Sequence, residues 1–443
     1  MKMVMMMERD IVKKLKLWKN KDSKKPLIIK GARQVGKTYA IRQFAKACYK
    51  DIIEINFERD LEFVDLFEST RNPKDILNYL QIAFLDKELN EETLFFMDEI
   101  QACSQALTAL KFLAEEFPCD IICSGSMLGV AIATTSSFPV GYVETWDMYP
   151  MGFIEFLKAM GMKENMFSML KKCLKEHVSI PEPIHNKMNE LFKSYMIVGG
   201  MPEVVSQYAK TKSYKDALLI QRRIVGDYLN DMAKYAQGSD RIKARECFQS
   251  IPLQLAKENK KFQYKLIKEG GSARYYESCL NWLSDSGLIL PLYRLKTIQK
   301  PIEAYKELSI FKVYMADTGL LVSQFDEAII KELLQGELGV FKGALYENIT
   351  MQLLNTCEKK AYYYQPTQIS EIDFIIYFDG EITPLEIKSG KNTVSKSFTH
   401  FIREWKPKYA FRLSQKNIGE NSLNVQYIPL YLLEFLLQEE KSL

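Results

Sequence analysis

The sequence predicts an α/β fold whose core is a parallel sheet with helices on both faces. Short apolar runs alternate with helical patterns from residue 27 to about residue 123. A glycine-rich segment joins the first run to the first helix, and a later run ends in two adjacent acids. Alternating strands and helices are typical of parallel sheets, because each crossover helix packs on a sheet face.

The glycine-rich segment at residues 31–38 reads GARQVGKT, the spacing of a phosphate-binding loop. Gly31 and Gly36 allow positive φ, so that consecutive N–H groups can point at phosphate oxygens. We expect Lys37 to reach the β- and γ-phosphates and the Thr38 hydroxyl to hold Mg²⁺. The segment predicts a site for ATP with Mg²⁺. The alternative is a glycine-rich turn that binds nothing.

The run LFFMDE at residues 94–99 ends in Asp98 and Glu99. Its end should lie at the carboxyl edge of the sheet, where ligands bind in such folds. We expect Asp98 to hold Mg²⁺ and Glu99 to polarise the attacking water. Alone, such a run usually marks a strand that leads into a solvated turn. Together with the phosphate loop it predicts hydrolysis.

The next run, IICSGS, ends in small polar residues. Ser126, or else Ser124, is placed to sense the γ-phosphate from a neighbouring strand. The alternative is a serine that only caps a turn.

Composition excludes several classes of protein. At 443 residues the chain should form about three domains, and 47% hydrophobic residues are typical of a globular protein. The net charge of +4 neither demands nor excludes nucleic acid. Eight cysteines lack the spacing of a disulfide framework or zinc ribbon, which favours the cytoplasm. No signal peptide or 18-residue apolar run is present, so we expect no membrane span.

These motifs, together with FPVGYVETWDMYPMGFIEFL and YMIVGGMPEVV, resemble the AAA-type P-loop ATPases of bacteria and archaea that carry a C-terminal domain of unknown function. The resemblance implies an AAA-like ATPase core at residues 1–150 and a helical lid at 151–240. A winged-helix-like domain at 241–325 and a restriction-endonuclease-like α/β domain at 326–443 would follow.

One position departs from the family pattern. Where the family has an arginine after the PVG-like segment, this chain has Tyr142. Arginines at such edges can act on a neighbour's phosphate, so the departure leaves the arginine finger unassigned. Arg222 and Arg223 are candidates to reach the nucleotide from the lid, although paired arginines on a helix more often form a solvated face.

The winged-helix-like segment offers a candidate surface for DNA. Residues 272–286 read as a helix whose apolar positions face the core and leave Arg274 and Asn281 outward. A winged helix often lays such a helix in the major groove. The alternative is a contact with a protein partner.

The tail carries a second candidate site. A strand containing Asp373 leads through an Asp-Gly turn to the segment PLEIK, in which Glu386 and Lys388 share one face. Two carboxylates can bind Mg²⁺, and a lysine can polarise water for phosphodiester attack. This pattern resembles the signature of restriction-endonuclease-like folds, in which Glu347 matches an additional acid. The alternative is a solvent-facing hairpin.

The function predicted from these features is a cytoplasmic, Mg²⁺-dependent ATPase whose nucleotide cycle acts on DNA or a protein partner. One alternative is a regulatory protein that binds nucleotide without hydrolysing it, which Tyr142 favours. Another is a nuclease in the tail that the ATPase gates.

Overall fold

The computed structural model describes residues 7–126, 138–235, 240–257, 260–335, 340–367, 370–390 and 395–440. They form two compact units. The amino-terminal unit comprises Glu8–Tyr149 with Asp285–Gly287, and the carboxy-terminal unit consists mainly of Pro150–Ser284 and Leu288–Leu443.

The amino-terminal unit contains a five-stranded parallel sheet. Its strands are β1 (Leu27–Lys30), β2 (Asp51–Asn56), β3 (Thr93–Asp98), β4 (Asp120–Gly125) and β5 (Glu144–Asp147). Its helices are α1 (Asp10–Lys19), α2 (Lys37–Cys48), α3 (Leu61–Ser69), α4 (Pro73–Ala83) and α5 (Ser104–Glu116). The strand order is β2-β3-β4-β1-β5, and every adjacent pair is parallel. This arrangement confirms the predicted P-loop NTPase fold.

The strand order determines which side chains meet at the carboxyl edge. Strand β4 lies between β1, which leads into the phosphate loop, and β3, which ends at Asp98. All six residues of β3 are buried, as expected for a parallel strand covered on both faces. The ends of β1, β4 and β3 therefore lie side by side.

Strand β5 is absent from the sequence-based expectations. Its four residues, ETWD, are all intermediate or exposed, so they lack the apolar run that marks the other strands. The strand forms because it pairs along β1, with Glu144 opposite Leu27 and Asp147 opposite Lys30.

The carboxy-terminal unit contains an eight-stranded mixed sheet. Its strands are β6 (Ile289–Leu295), β7 (Lys306–Met315), β8 (Ala361–Thr367), β9 (Ser370–Phe378), β10 (Glu381–Ile387), β11 (Phe411–Ser414), β12 (Gly419–Glu420) and β13 (Gln426–Pro429). Their order is β12-β13-β11-β10-β9-β8-β6-β7. The predicted hairpin of the tail is the antiparallel pair β9–β10, turned by Asp379 at φ 50° and Gly380 at φ 70°.

The described part of this unit is otherwise mainly helical. Its helices are α6 (Phe153–Ala159), α7 (Glu164–Lys175), α8 (Glu182–Val198), α9 (Pro202–Thr211), α10 (Tyr214–Tyr235), α11 (Asp240–Leu255), α12 (Ala273–Asp285), α13 (Thr318–Val322), α14 (Glu327–Gln335), α15 (Val340–Thr356), α16 (Lys396–Trp405) and α17 (Leu433–Glu440). The breaks predicted near residues 181–183 and 198–202 separate α7 from α8 and α8 from α9.

The winged-helix prediction is not confirmed. The expected order of helices α11 and α12 followed by the antiparallel pair β6–β7 is present. However, β6 also pairs in parallel with β8, with Tyr293 opposite Tyr362, so the two strands are part of the eight-stranded sheet. The sequence shows the strands but not which strand occupies the second edge of β6. The four-domain division stays a prediction.

The glycine pair between α8 and α9 is held by a buried carboxylate. Asp317, 1% exposed, accepts hydrogen bonds from the backbone N–H of Gly200 at 2.6 Å and of Leu320 at 2.9 Å. Gly199 has φ 71°, and a Cβ there would lie 2.2 Å from Asp317 Oδ1. Burial raises the pKa of Asp317 to about 6, although its backbone hydrogen bonds oppose that shift. The VGGMP segment is therefore a backbone turn built around Asp317.

The described residues contain neither a membrane-spanning helix nor a disulfide. No helix there combines the length and apolar character that a bilayer crossing requires. No disulfide joins any of the eight cysteines, all of which the structure describes.

Replacing Asp317 with Ala should lower the free energy of unfolding of the carboxy-terminal unit by about 3 kcal/mol, because two buried N–H groups lose a charged acceptor. The measurement is urea denaturation of the full chain at pH 8, where the carboxylate is ionised. Asp326→Ala is the matched control, since Asp326 is exposed and accepts one bond from Ala328. Equal effects of the two substitutions would contradict the role of Asp317.

Candidate nucleotide site and tail carboxylates

The phosphate loop is built by backbone conformations that few residues adopt. Gly31 has φ 147° and Gly36 has φ 93°, and Gln34 between them is also left-handed, at φ 64°. A Cβ on Gly31 would lie 2.2 Å from the carbonyl oxygen of Met148, so a side chain does not fit there. The loop then enters α2, whose first residue is Lys37. A curved loop that leads into the start of a helix is suited to binding an anion.

The ammonium group of Lys37 lies against the loop. Its Nζ donates to the carbonyl oxygens of Gly31 and Ala32, each at 2.9 Å, and the residue is 7% exposed. Burial lowers the pKa of Lys37 to about 8, an effect that the carboxylates of Glu99 and Asp98 oppose. A buried cation at the start of a helix is suited to an anion such as a polyphosphate.

Asp98 accepts hydrogen bonds from Thr38, the other predicted Mg²⁺ ligand, and from Asn56 and Ser124. The Thr38 hydroxyl donates to its Oδ2 at 3.1 Å, and the Asn56 amide donates to the same oxygen at 3.3 Å. Ser124 donates to Oδ1. Burial and the adjacent Glu99 raise the pKa of Asp98 above its ordinary value, against the hydrogen bonds from Ser124 and Thr38. The structure thus brings Thr38 and Asp98 together, an oxygen pair that suits Mg²⁺.

Glu99 lies where the chain turns out of β3. Its φ of 51° is left-handed, a conformation that costs free energy in a residue with a side chain. Its Oε2 accepts from the backbone N–H of Ser126 at 3.4 Å, from the Ser126 hydroxyl at 3.3 Å and from the Gln101 amide at 2.5 Å. Glu99 and Ser126 are therefore in contact, whereas Ser124 contacts Asp98.

The sequence analysis did not identify two arginines at this site. Arg33, inside the phosphate loop, donates through Nε to the Ser126 hydroxyl at 3.3 Å and lies 3.5 Å from Glu58. Arg9, 4% exposed, donates to the carbonyl oxygen of Val35 at 2.5 Å and so supports the loop from the start of α1. Arg33 lies within the GARQVGKT motif, and this position in the loop could have indicated that it belongs to the site. Nothing in the sequence around Arg9 indicates its contact.

Tyr142 lies at the opposite edge of the sheet from the phosphate loop. It precedes β5, whose first residue pairs with Leu27 at the amino end of β1. At ~3.3 Å per residue, roughly 13 Å separate Leu27 from the start of the phosphate loop at Gly31. The Lys111 ammonium lies 5.2 Å from the centroid of the Tyr142 ring. Position 142 is therefore remote from the phosphate loop of the same chain.

Arg222 and Arg223, the arginines of the predicted lid, form hydrogen bonds and an ion pair within the carboxy-terminal unit. Arg222 donates to the carbonyl oxygens of Ser323 and Phe325, each at 3.3 Å. Arg223 lies 2.5 Å from the carboxylate of Glu203.

The tail hairpin brings three of its four candidate residues together. Asp373 and Glu386 lie one position beyond the registered pair Phe374–Leu385, and opposite residues of antiparallel strands share a face. Burial, with the charges of Glu386 and Glu347, raises the pKa of Asp373 well above its ordinary value. Lys388 Nζ lies 2.6 Å from Glu386 Oε1. The other carboxylate oxygen of Glu386 is buried and has no hydrogen-bond partner among the described residues.

Glu347, the fourth candidate, forms ion pairs with two lysines. Its carboxylate contacts Lys260, lies 3.5 Å from Lys312 and accepts from the Tyr314 hydroxyl at 2.8 Å. Burial alone would raise the pKa of Glu347, but the two ammonium groups lower it below its ordinary value. Within the described ranges, no group of three or more His, Cys, Asp or Glu side chains has the geometry of a metal site.

Three segments of the chain match known domain families. Residues 23–157 match the AAA domain family. The chain carries an AAA domain. Residues 189–328 and 342–433 match two domains of unknown function, DUF8612 and DUF4143. The AAA domain thus precedes a DUF4143 C-terminal domain, as the sequence resemblance implied.

Several solved structures are similar to this chain. A Walker-type ATPase of Pyrococcus abyssi is 17% identical, with 71% of this chain and 95% of that chain covered and a TM-score of 0.44. Cdc6p of Pyrobaculum aerophilum is 14% identical, with coverages of 74% and 94% and a TM-score of 0.27. The Aeropyrum pernix ORC1 protein, in complex with DNA, is 10% identical, with coverages of 74% and 90% and a TM-score of 0.30. No curated protein matches the sequence.

Replacing Lys37 with Ala should abolish ATP binding, because the anion site loses its buried positive charge. Titration calorimetry with ATP and Mg²⁺ measures this. Lys46→Ala, on the same helix but exposed, should bind as the unmodified chain does. Unchanged ATP affinity of the Lys37 variant would contradict the assignment of the phosphate loop.

Proposed function

We propose that this protein is a Mg²⁺-dependent ATPase. The observation that carries the proposal is the row of polar groups along the carboxyl edge of the sheet. Lys37 lies in the segment after β1, Asp98 ends β3 with Glu99 directly after it, and Ser126 follows β4. These strands are neighbours, so the lysine, the acids and the serine converge.

Each residue has a role that its contacts support. Gly31, Gly36 and Lys37 would bind the phosphates of ATP. Thr38 and Asp98, whose oxygens lie 3.1 Å apart, would hold the Mg²⁺ that the nucleotide brings. The metal would neutralise charge on the phosphates.

Glu99 is the proposed general base. Its carboxylate is oriented by the backbone and hydroxyl of Ser126 and by Gln101. An oriented carboxylate at this edge would polarise a water for attack on the γ-phosphate, and Ser126 would report the presence of that phosphate. This arrangement favours hydrolysis over binding alone.

The basic composition of one segment, together with two exposed side chains on α12, supports DNA as the partner. Residues 241–325 contain fourteen Lys and Arg against eight Asp and Glu, although the whole chain has a net charge of only +4. Arg274 and Tyr275 are exposed on α12, and Lys243 lies 5.8 Å from the centroid of the Tyr275 ring. Cations beside an exposed aromatic ring suit a phosphate backbone with unstacked bases. Protein partners remain the alternative, and the cytoplasmic location expected from the cysteine spacing remains a prediction.

Replacing Glu99 with Gln should retain ATP binding and lower turnover by about 10²-fold, because Gln keeps the size of the side chain but cannot accept a proton. Phosphate release in a single turnover measures the rate, with and without double-stranded DNA. Glu92→Gln, which is exposed before β3, is the control. Full turnover in the Glu99 variant would exclude it as the base. A rate that DNA leaves unchanged would favour a protein partner.

The tail supports a second candidate function, a metal-dependent nuclease. The observation that favours it is the buried carboxylate oxygen of Glu386 that lacks a partner beside Asp373, since burial of an unsatisfied charged group is costly. A divalent cation would satisfy this oxygen and relieve repulsion between the two acids. Lys388 would then polarise water. Glu347, bound to Lys260 and Lys312, is the weakest of the four candidates as a ligand.

Mn²⁺ should raise the melting temperature of the full chain carrying Asp98→Asn, which removes the metal ligand of the ATP site. At a hundredfold excess over the dissociation constant, the stabilisation would be about 2.7 kcal/mol. Adding Asp373→Asn and Glu386→Gln should abolish the metal-dependent shift. Adding Glu381→Gln, on the same hairpin but paired with Lys300 at the surface, should leave it unchanged. A melting temperature independent of Mn²⁺ would rule out the tail site.

A further inference from the structure

Arg33 lies beside the residues that we propose for hydrolysis. Two of its contacts are with residues that follow different strands of the sheet: the Ser126 hydroxyl, 3.3 Å from Nε, follows β4, and Glu58, 3.5 Å from Nη2, follows β2. Arg33 itself follows β1. The side chain therefore extends along the carboxyl edge rather than away from it.

The strand order indicates which residues lie near the guanidinium group of Arg33. From β1 to β2 the sheet order is β1-β4-β3-β2, and neighbouring strands are ~4.8 Å apart. Three such intervals, roughly 14 Å, separate β1 from β2, so the segments that follow these strands bring Arg33 and Glu58 together. Asp98 ends β3 and Glu99 follows it. The Ser126 hydroxyl donates to Glu99 at 3.3 Å and accepts from Arg33 at 3.3 Å.

We propose that Arg33 is a catalytic residue supplied by the phosphate loop itself, which contacts the γ-phosphate and stabilises the charge that develops there during hydrolysis. This assignment rests on the proposed ATPase function. It gives the chain an arginine at its own site, whereas position 142 lies at the far edge of the sheet. Through Ser126, the same guanidinium also helps to orient Glu99.

The chemistry of the arginine suits this role. A guanidinium group presents several N–H donors in a planar fork, so it can hold Ser126 and a phosphate oxygen at once. The carboxylate of Glu58 would compete with the γ-phosphate for the same donors. A ligand that lacks the γ-phosphate does not reach this group, so Arg33 should distinguish ATP from ADP.

The test compares Arg33→Ala with the unmodified full chain. Titration calorimetry with ADP and with a non-hydrolysable ATP analogue gives the two affinities, and single-turnover phosphate release gives the rate of hydrolysis. We expect affinity for the ATP analogue to fall at least about tenfold, with ADP affinity within about twofold of its original value. The rate should fall by about 10²-fold, as for the loss of one preorganised donor. Arg33→Lys should recover part of the affinity but little of the rate, because an ammonium lacks the fork.

Two matched variants separate this role from a structural one. Arg42→Ala removes another arginine–glutamate pair of the same unit, that with Glu54, and should change neither affinity nor rate. Glu58→Gln breaks the Arg33 ion pair but keeps the arginine, so the preference for ATP over ADP should persist. If Arg33→Ala weakened ATP and ADP equally, or if Glu58→Gln reproduced its effects, Arg33 would be structural and the proposal overturned. Failure of the unmodified chain to bind ATP would instead overturn the proposed function, and this assignment with it.

Discussion

The amino-terminal unit depends on the burial of one positive charge. A buried ammonium group is costly unless charges and hydrogen bonds compensate it. Lys37 is compensated by two loop carbonyl oxygens and by the nearby Asp98 and Glu99. The backbone conformations of the loop glycines place those carbonyl groups beside the lysine. The parallel sheet places Asp98 and Glu99 near the same ammonium group. The positive charge of Lys37 is therefore stabilised jointly by the loop and by the acids at the end of β3.

The tail also buries charged groups, but there they are carboxylates. There, buried acids meet buried lysines, so that Glu347 is neutralised by Lys260 and Lys312 rather than by a ligand. Such pairs recover their desolvation cost only with good geometry and additional hydrogen bonds, which Tyr314 provides. The Asp373–Glu386 pair is less fully compensated, since Lys388 contacts only one carboxylate oxygen of Glu386. This difference separates the residues that hold the fold together from those available to a cation.

The proposed functions place different demands on the two units. Hydrolysis requires groups that are already oriented, and the contacts of Glu99 with Ser126 and Gln101 meet that requirement within the AAA domain. Recognition of a nucleic acid requires exposed cations, of which Arg274 on α12 is one. The carboxylate-centred turn at Asp317 gives the carboxy-terminal unit a rigid element, because its hydrogen bonds hold the backbone at Gly200 and Leu320.

The sequence alone determined the phosphate loop, the acidic end of β3 and the turn of the tail hairpin. Each depends on residues close together in the chain, whose backbone preferences and apolar patterns are local. Only the tertiary structure decided that β4 lies between β1 and β3, that ETWD forms a strand and that β6 joins the tail sheet. It also decided that Arg33 reaches Glu58 and that Glu347 meets two lysines. Strand edges and long charged side chains can pair with many partners, and the choice among them depends on packing of the whole unit.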